Sequence, residues 1–463
     1  MLKSQPDNIA FYRRVLIIAL PIILQNAITN FVSMLDNVMV GQLATAQIAG
    51  VTIANNNLLF IFNLCIFGGA AGAGIFTTQY HGSQDHEGIR YTFRFKLAIC
   101  LILTVIGVSV FLLFTQPLVG LYLKGDGDPQ LAADTLLYGS QYIRIMVIGF
   151  LPFALTNAYA STLRECGHTV VPMVASLIAT LVNLFFNYLL IFGNWGFPML
   201  GVSGAAIATV ISRYAELAIV VLWTHRHSLE LPFVKGLYRS VHIPKDLLRT
   251  ILIKGSPLLF NELLWSTGLA FQNQCYSLCG LEVVPALSIS TTIYNLAGVV
   301  FRSLGSTVGI ITGQMLGAGR PEKEVREANK KMEALTICSG VVFALVMGSL
   351  AFVYPKLYNT TESVRTLATW LIVISALYMP LQAYIFSVFF TLRAGGKTII
   401  TFLFDCGAIW AYCVPAAFLL CNFTQLPILL IFALCNAGDI IKCFIGAYMI
   451  RKGTWIQNLA VKE

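Results

Sequence analysis

Gly74-Ile75-Phe76-Thr77-Thr78-Gln79-Tyr80-His81-Gly82 recurs 235 residues later as Gly309-Ile310-Ile311-Thr312-Gly313-Gln314-Met315-Leu316-Gly317, with five of nine positions identical. Two more pairs follow in the same order at nearly constant spacing. Leu163-Arg164-Glu165-Cys166-Gly167-His168-Thr169 is echoed by Leu392-Arg393-Ala394-Gly395-Gly396-Lys397-Thr398, and Pro21 by Pro257. The chain therefore reads as a tandem duplication. Both copies sit in continuous apolar runs, such as Leu97 to Phe114 and Leu335 to Phe352, without the alternation that barrel strands require. With 57% hydrophobic and 11% charged residues in 463, the chain cannot clothe soluble domains of that length. Its roughly 264 apolar residues match about twelve helices of about 20 to 25 residues, each crossing a core of about 30 Å.

Turn and charge punctuation place the spans at about 14–38, 50–78, 92–115, 135–160, 170–193, 202–223, 250–278, 284–313, 331–354, 366–391, 398–420 and 427–450. The expected fold is thus an all-α polytopic membrane protein with twelve transmembrane helices in two pseudo-symmetric six-helix lobes. An even number of spans per copy starts both on the same side, related by an axis along the membrane normal. The polar stretch Thr224 to Thr250, with His225, Arg226, Lys235, Arg239 and Lys245, divides them. This gives an N-terminal lobe at 1–223, a cytoplasmic linker at 224–249 and a C-terminal lobe at 250–463. Paired bundles with a cavity between them suit solute transport by alternating access.

The formal charge of +9 is explained by its distribution. With both termini inside, only Lys124, Lys356 and Arg365 face outward, while Arg144, Arg213, Arg302 and Lys442 fall within spans. The excess is an orientation signal with some attraction to anionic lipid, not the footprint of a nucleic-acid partner. The eleven cysteines, Cys275 and Cys279 among them, fall almost all in apolar runs and read as small buried hydrophobes. No metal site or cofactor is expected. Neither HExxH nor GxSxG occurs, so a membrane-embedded hydrolase lacks its usual groups.

Carboxylates at membrane depth carry the functional expectation, because each needs a partner or a task. Glu216 follows Arg213 by three residues and Asp439 precedes Lys442 by three, so both can pair on their own helix faces in a structural role. Asp36, Glu262 and Asp405 have no opposite charge within four residues. Setting Pro21 on Pro257 places Asp36 opposite Gln272 and Glu262 opposite Asn26, so each half holds an acid that the other lacks. Around Asp36 stand Gln25, Asn26, Asn30 and Ser33 on the first span, with Asn183 and Asn187 sharing a face of the fifth. Such a cluster suits uptake of a proton or a desolvated sodium ion. Arg302 is a counter-ion without an assigned acid. Trp265 and Trp410 lie near Glu262 and Asp405 and offer aromatic surface to flat, often cationic molecules. Trp195, Trp223 and Trp455 fall at helix ends, where aromatic belts form. The four-residue recurrence Gly305, Gly309, Gly313, Gly317 reads as a close-packing stripe, and Pro21 and Pro257 as kinks that can serve as hinges.

The stretch from Pro21 to Gly41 with LDNVMVGQL (Leu35 to Leu43), LRECGHTVVP (Leu163 to Pro172), GVSGAAIATVISR (Gly201 to Arg213) and LRAGGKT (Leu392 to Thr398) resembles the multidrug and toxic compound extrusion (MATE) family over all twelve spans. The resemblance implies a V-shaped pair of lobes exporting organic cations, drugs or metabolites in exchange for inward protons or sodium ions. It places the family's first-helix acid at Asp36, its seventh-helix acid at Glu262, and its fifth-helix polar neighbours at Asn183 and Asn187. Where some members carry a further acid on the tenth helix this chain has Gln382, which leaves Asp405 as the alternative. The expected setting is a bacterial-type plasma membrane, with the protein acting as a monomer on small organic molecules. The competing reading is a flippase for lipids or lipid-linked oligosaccharides, which would call for a more cationic cavity.

Overall fold

The computed structural model describes residues 8–123, 129–280, 282–358 and 360–460. Lys124 and the side chain of Ser33 lie outside the described residues. Every regular element among those described is helical. Twelve long helices follow in order: α1 (Asn8–Val40), α2 (Thr45–Gly82), α3 (His86–Leu113), α4 (Pro129–Glu165), α5 (Val170–Phe192), α6 (Val202–Arg226), α7 (Lys245–Ser277), α8 (Val283–Gly317), α9 (Glu322–Leu350), α10 (Glu362–Ala394), α11 (Thr398–Phe423) and α12 (Ile428–Lys452). Eleven are long and apolar enough to cross a membrane. The one that falls short is α7, which has the length but carries Asn261, Glu262, Gln272, Asn273 and Gln274 along it. The chain is a multi-pass integral membrane protein.

The helices group into two compact units. One takes the described residues of Met1–Ile23, Thr78–Asp85 and Ile253–Glu463; the other takes Leu24–Thr77 and His86–Leu252. In the first, the start of α1 packs Val15, Ile18 and Ile22 on Val308, Ile311 and Met332. The repeated glycine motifs meet in the same unit. A Cβ on Gly317 would lie 1.8 Å from the Gln79 carbonyl oxygen, and one on Gly82 would lie 2.0 Å from that of Gln314. A Cβ on Gly313 would meet Thr78 Oγ1 at 2.4 Å, and one on Gly309 would meet the Phe390 ring at 3.3 Å. The stripe lets backbones touch, the gain expected where lipid supplies no hydrophobic drive between helices. Gly317→Ala should therefore lower the thermal unfolding midpoint in detergent by several degrees, since overpacking costs about 1 to 3 kcal/mol. Gly348→Ala, with nothing within 4 Å of the new methyl, should leave it unchanged or raise it.

Two expectations about single residues change. Trp455 is not a belt residue: it is fully buried with Val388, Leu392 and Phe404, and its indole donates to the Ile450 carbonyl at 3.2 Å. Lys96 is a further cation within a helix, fully buried in α3 and paired with Glu165. The segment between α6 and α7 is docked rather than loose. Arg94 donates to the carbonyls of Gly236 and Leu237 at 2.9 Å and of His242 at 3.1 Å, while Phe233 and Leu237 are buried.

Candidate functional site

In the unit built on Leu24–Thr77 and His86–Leu252, Asp36 faces a cavity of about 470 Å³ shared with Asn187, Tyr142, Thr209 and Arg213. Asn187 donates to Asp36 Oδ1 at 2.7 Å. Asn183, one turn earlier on α5, reaches Asp36 at 2.8 Å when its amide nitrogen faces the acid, leaving its oxygen to accept from Thr209 at 3.3 Å. The spacing of four that put both amides on one face thus puts both against the same carboxylate. Where α2 passes the cavity it runs as a π-helix, Ile53–Leu59, which brings Asn55 and Asn56 into the lining. Such bulges alter which side chains a helix presents and recur at functional sites.

Arg213 gives this site its electrostatic character. It lines the cavity, its guanidinium stands 4.3 Å from the Phe153 ring centroid, and it acts electrostatically on Asp36, Tyr142 and Glu216. Glu216 is shared between Arg213 and Arg164, and Arg164 also donates to Gln25 at 3.3 Å. The Arg213–Glu216 interaction read from the sequence is therefore one of several electrostatic interactions of Arg213, and another reaches Asp36. Asn26 and Asn30 are exposed on α1, outside the cavity lining.

The other unit holds a second charged cluster. Asp405 lies in a π-helical stretch of α11, Leu403–Gly407, accepts a hydrogen bond from Asn261 at 3.1 Å and pairs with Lys442 at 3.8 Å. Asp439 accepts a hydrogen bond from Gln382. Among the described residues, the ion pair of Lys442 within 4 Å is thus with Asp405 on another helix, not with Asp439 on its own. Glu262 is under the electrostatic influence of Arg393 and of Asp405. Gln272 donates to the Tyr276 hydroxyl at 2.8 Å. Trp410 donates to the Leu264 carbonyl at 2.9 Å, one residue from Trp265, and meets Phe271 edge-on at 5.6 Å. Arg302 donates to two carbonyls of its own helix, those of Asn295 at 2.8 Å and Gly298 at 3.2 Å.

Sequence reasoning missed Tyr142, Thr209 and the cavity role of Arg213. A signal existed: Thr209, Arg213 and Glu216, at spacings of four and three, form a polar stripe on an apolar helix, and Asn55-Asn56-Asn57 interrupts another apolar run.

A family profile described as MatE matches residues 21–189 and 257–409. The chain is 25% identical over 437 residues to a probable multidrug resistance protein, YoeA, of Bacillus subtilis, covering 92% of this chain and 90% of the relative. It is 21% identical over 417 residues to a probable multidrug resistance protein, NorM, of Thermotoga maritima, covering 89% and 86%. The fold matches a solved outward-facing multidrug resistance MATE family transporter of the MOP superfamily with a TM-score of 0.83 at 16% identity, covering 97% and 98%.

Proposed function

The chain belongs to the MatE family, whose members are transporters and not enzymes, and we propose that it is a secondary antiporter. In this reading it exports lipophilic, often cationic drugs or metabolites from a bacterial-type cell in exchange for inward-moving protons or sodium ions, by alternating access. It acts as a monomer in the plasma membrane with both termini cytoplasmic. The observation that carries the reading is Asp36: a carboxylate facing a cavity, held by two amides and balanced by one arginine. The multidrug names of similar proteins support the substrate class.

The chemistry follows from charge. The amides donate to Asp36 without neutralising it, so a proton or sodium ion entering the cavity meets an acid compensated electrostatically by Arg213. Binding of that cation cancels the field that holds an organic cation, and a ligand moves a conformational equilibrium only by its differential affinity for the two states. Glu262, Asp405 and the amides Asn183 and Asn187 complete the coupling set. Trp265, Trp410, Gln25, Gln272 and Gln382 supply polar and aromatic surface. The flippase alternative gains no support from a cavity in which the cation Arg213 faces an acid.

Arg213 competes with the coupling ion for Asp36. Arg213→Gln should tighten binding of the coupling cation about tenfold, the effect of about 1.4 kcal/mol of lost competition; proton uptake by a pH indicator and sodium-22 binding in micelles measure it. Weaker binding would contradict the assignment of Arg213. The function itself is tested in proteoliposomes with proton and sodium gradients imposed separately. Export of ethidium should follow at least one inward gradient and stop when it is dissipated. Equal flux with no gradient would overturn antiport.

A further inference from the structure

We propose that Cys279 and Cys421 form a redox-active dithiol, closing to a disulfide that ties the turn after α7 to α11. Their Sγ atoms are 2.9 Å apart, within about 1 Å of the covalent S–S length of about 2.05 Å. They come from well-separated stretches of chain, so the approach is made by the fold and not by sequence proximity. Composition alone casts both as inert buried hydrophobes.

Accessibility singles out this pair. Cys275 and Cys435, from the same core cluster, are buried, whereas Cys279 and Cys421 are each partly exposed. Cys279 also lines an open crevice of about 710 Å³ that contains Glu282 and Glu362. The thiols that touch are therefore the ones a reagent can reach. Two carboxylates at the entrance disfavour an anionic oxidant such as glutathione disulfide and favour a neutral disulfide.

The position gives the bond a consequence. α7 and α11 run side by side in one register, through Asn261 to Asp405, Leu264 to Trp410, Gly268 against Ile409 and Cys279 to Cys421. α7 ends at Ser277, sixteen residues beyond Asn261 or about 24 Å at 1.5 Å per residue, and Cys279 lies in the turn that follows. A disulfide there fixes one end of the seam whose other end holds Asp405.

The chemistry balances as thiol–disulfide exchange. The Cys279 thiolate attacks a neutral aromatic disulfide, releasing one aromatic thiol and leaving a mixed disulfide. The Cys421 thiolate then displaces the second aromatic thiol, so two protein thiols are oxidised and one disulfide is reduced.

The test treats the full-length protein in micelles with 4,4′-dithiodipyridine and maps cysteine peptides by mass spectrometry. Wild type should yield a Cys279–Cys421 linkage that has lost two hydrogens and carries no pyridyl group. Cys421→Ser should instead retain one pyridyl adduct on Cys279, because the resolving thiol is gone. The linked protein should unfold several degrees higher, with the gain reversed by dithiothreitol. A wild-type protein carrying separate pyridyl adducts on Cys279 and Cys421, or leaving both unmodified, would overturn the proposal. Should Cys421→Ser not fold, the wild-type linkage decides alone.

Discussion

Asp36→Asn is expected to lower gradient-driven export at least a hundredfold while leaving the fold intact. The substitution keeps the shape of the side chain and one oxygen to accept from Asn187, which donates to Asp36 at 2.7 Å. It removes the only property the proposed mechanism uses, a charge that a proton or sodium ion can cancel. An amide neither binds a proton near neutral pH nor offers a full negative charge to a cation. Two factors of ten correspond to about 2.7 kcal/mol of lost coupling free energy, within what removal of a half-buried, hydrogen-bonded charge can deliver. Transport in proteoliposomes, with thermal unfolding in micelles as a control for folding, measures both halves. Wild-type export by Asp36→Asn would remove Asp36 from the mechanism.

Lys442→Met should destabilise the protein by about 3 to 5 kcal/mol, the usual cost of removing one partner from a buried ion pair. Lys442 is 8% exposed and Asp439 6% exposed, and Asp405 pairs with Lys442 at 3.8 Å. Without the ammonium, the like charges of Asp405 and Asp439 act on each other uncompensated by that cation, with Asn261 donating to Asp405 and Gln382 to Asp439. The double variant Asp405→Asn with Lys442→Met removes one charge of each sign and should recover most of the loss. Unfolding midpoints of wild type, both singles and the double in the same detergent give the coupling energy directly. If the double variant is no more stable than Lys442→Met alone, the pair does not hold this cluster together.

Much of the architecture was legible because hydrophobic runs and repeated motifs are local, and membrane solvation leaves few alternatives to helices. The helix that escapes the apolar criterion, α7, is the one bearing Glu262, and its polar residues do not interrupt the helix. The site was legible only in part. Asn183 and Asn187 could be placed on one face by spacing, and the structure sets both against Asp36. Partners from other helices could not be found in this way. Lys442 has Asp439 three residues before it but finds its ion-pair partner in Asp405, because spacing along a helix records its own face and not what packs against it. Trp455 looked like a membrane-interface anchor for the same reason: nothing local revealed that the segment after α12 folds back against Gly395, whose Cβ would meet the Trp455 carbonyl at 1.8 Å. Lys96 falls near the start of the span expected at about 92–115, and nothing local marked it as a buried ion-pair partner, since the Glu165 it pairs with belongs to another helix.

In the proposed mechanism the coupling cation and the organic substrate compete through the charge on Asp36. Ethidium added to unbuffered, detergent-solubilised wild-type protein preloaded with protons or sodium ions should release about one coupling ion for each molecule bound, and Asp36→Asn should release none. Ethidium binding with no ion release from wild type, or with equal release from Asp36→Asn, would contradict the account.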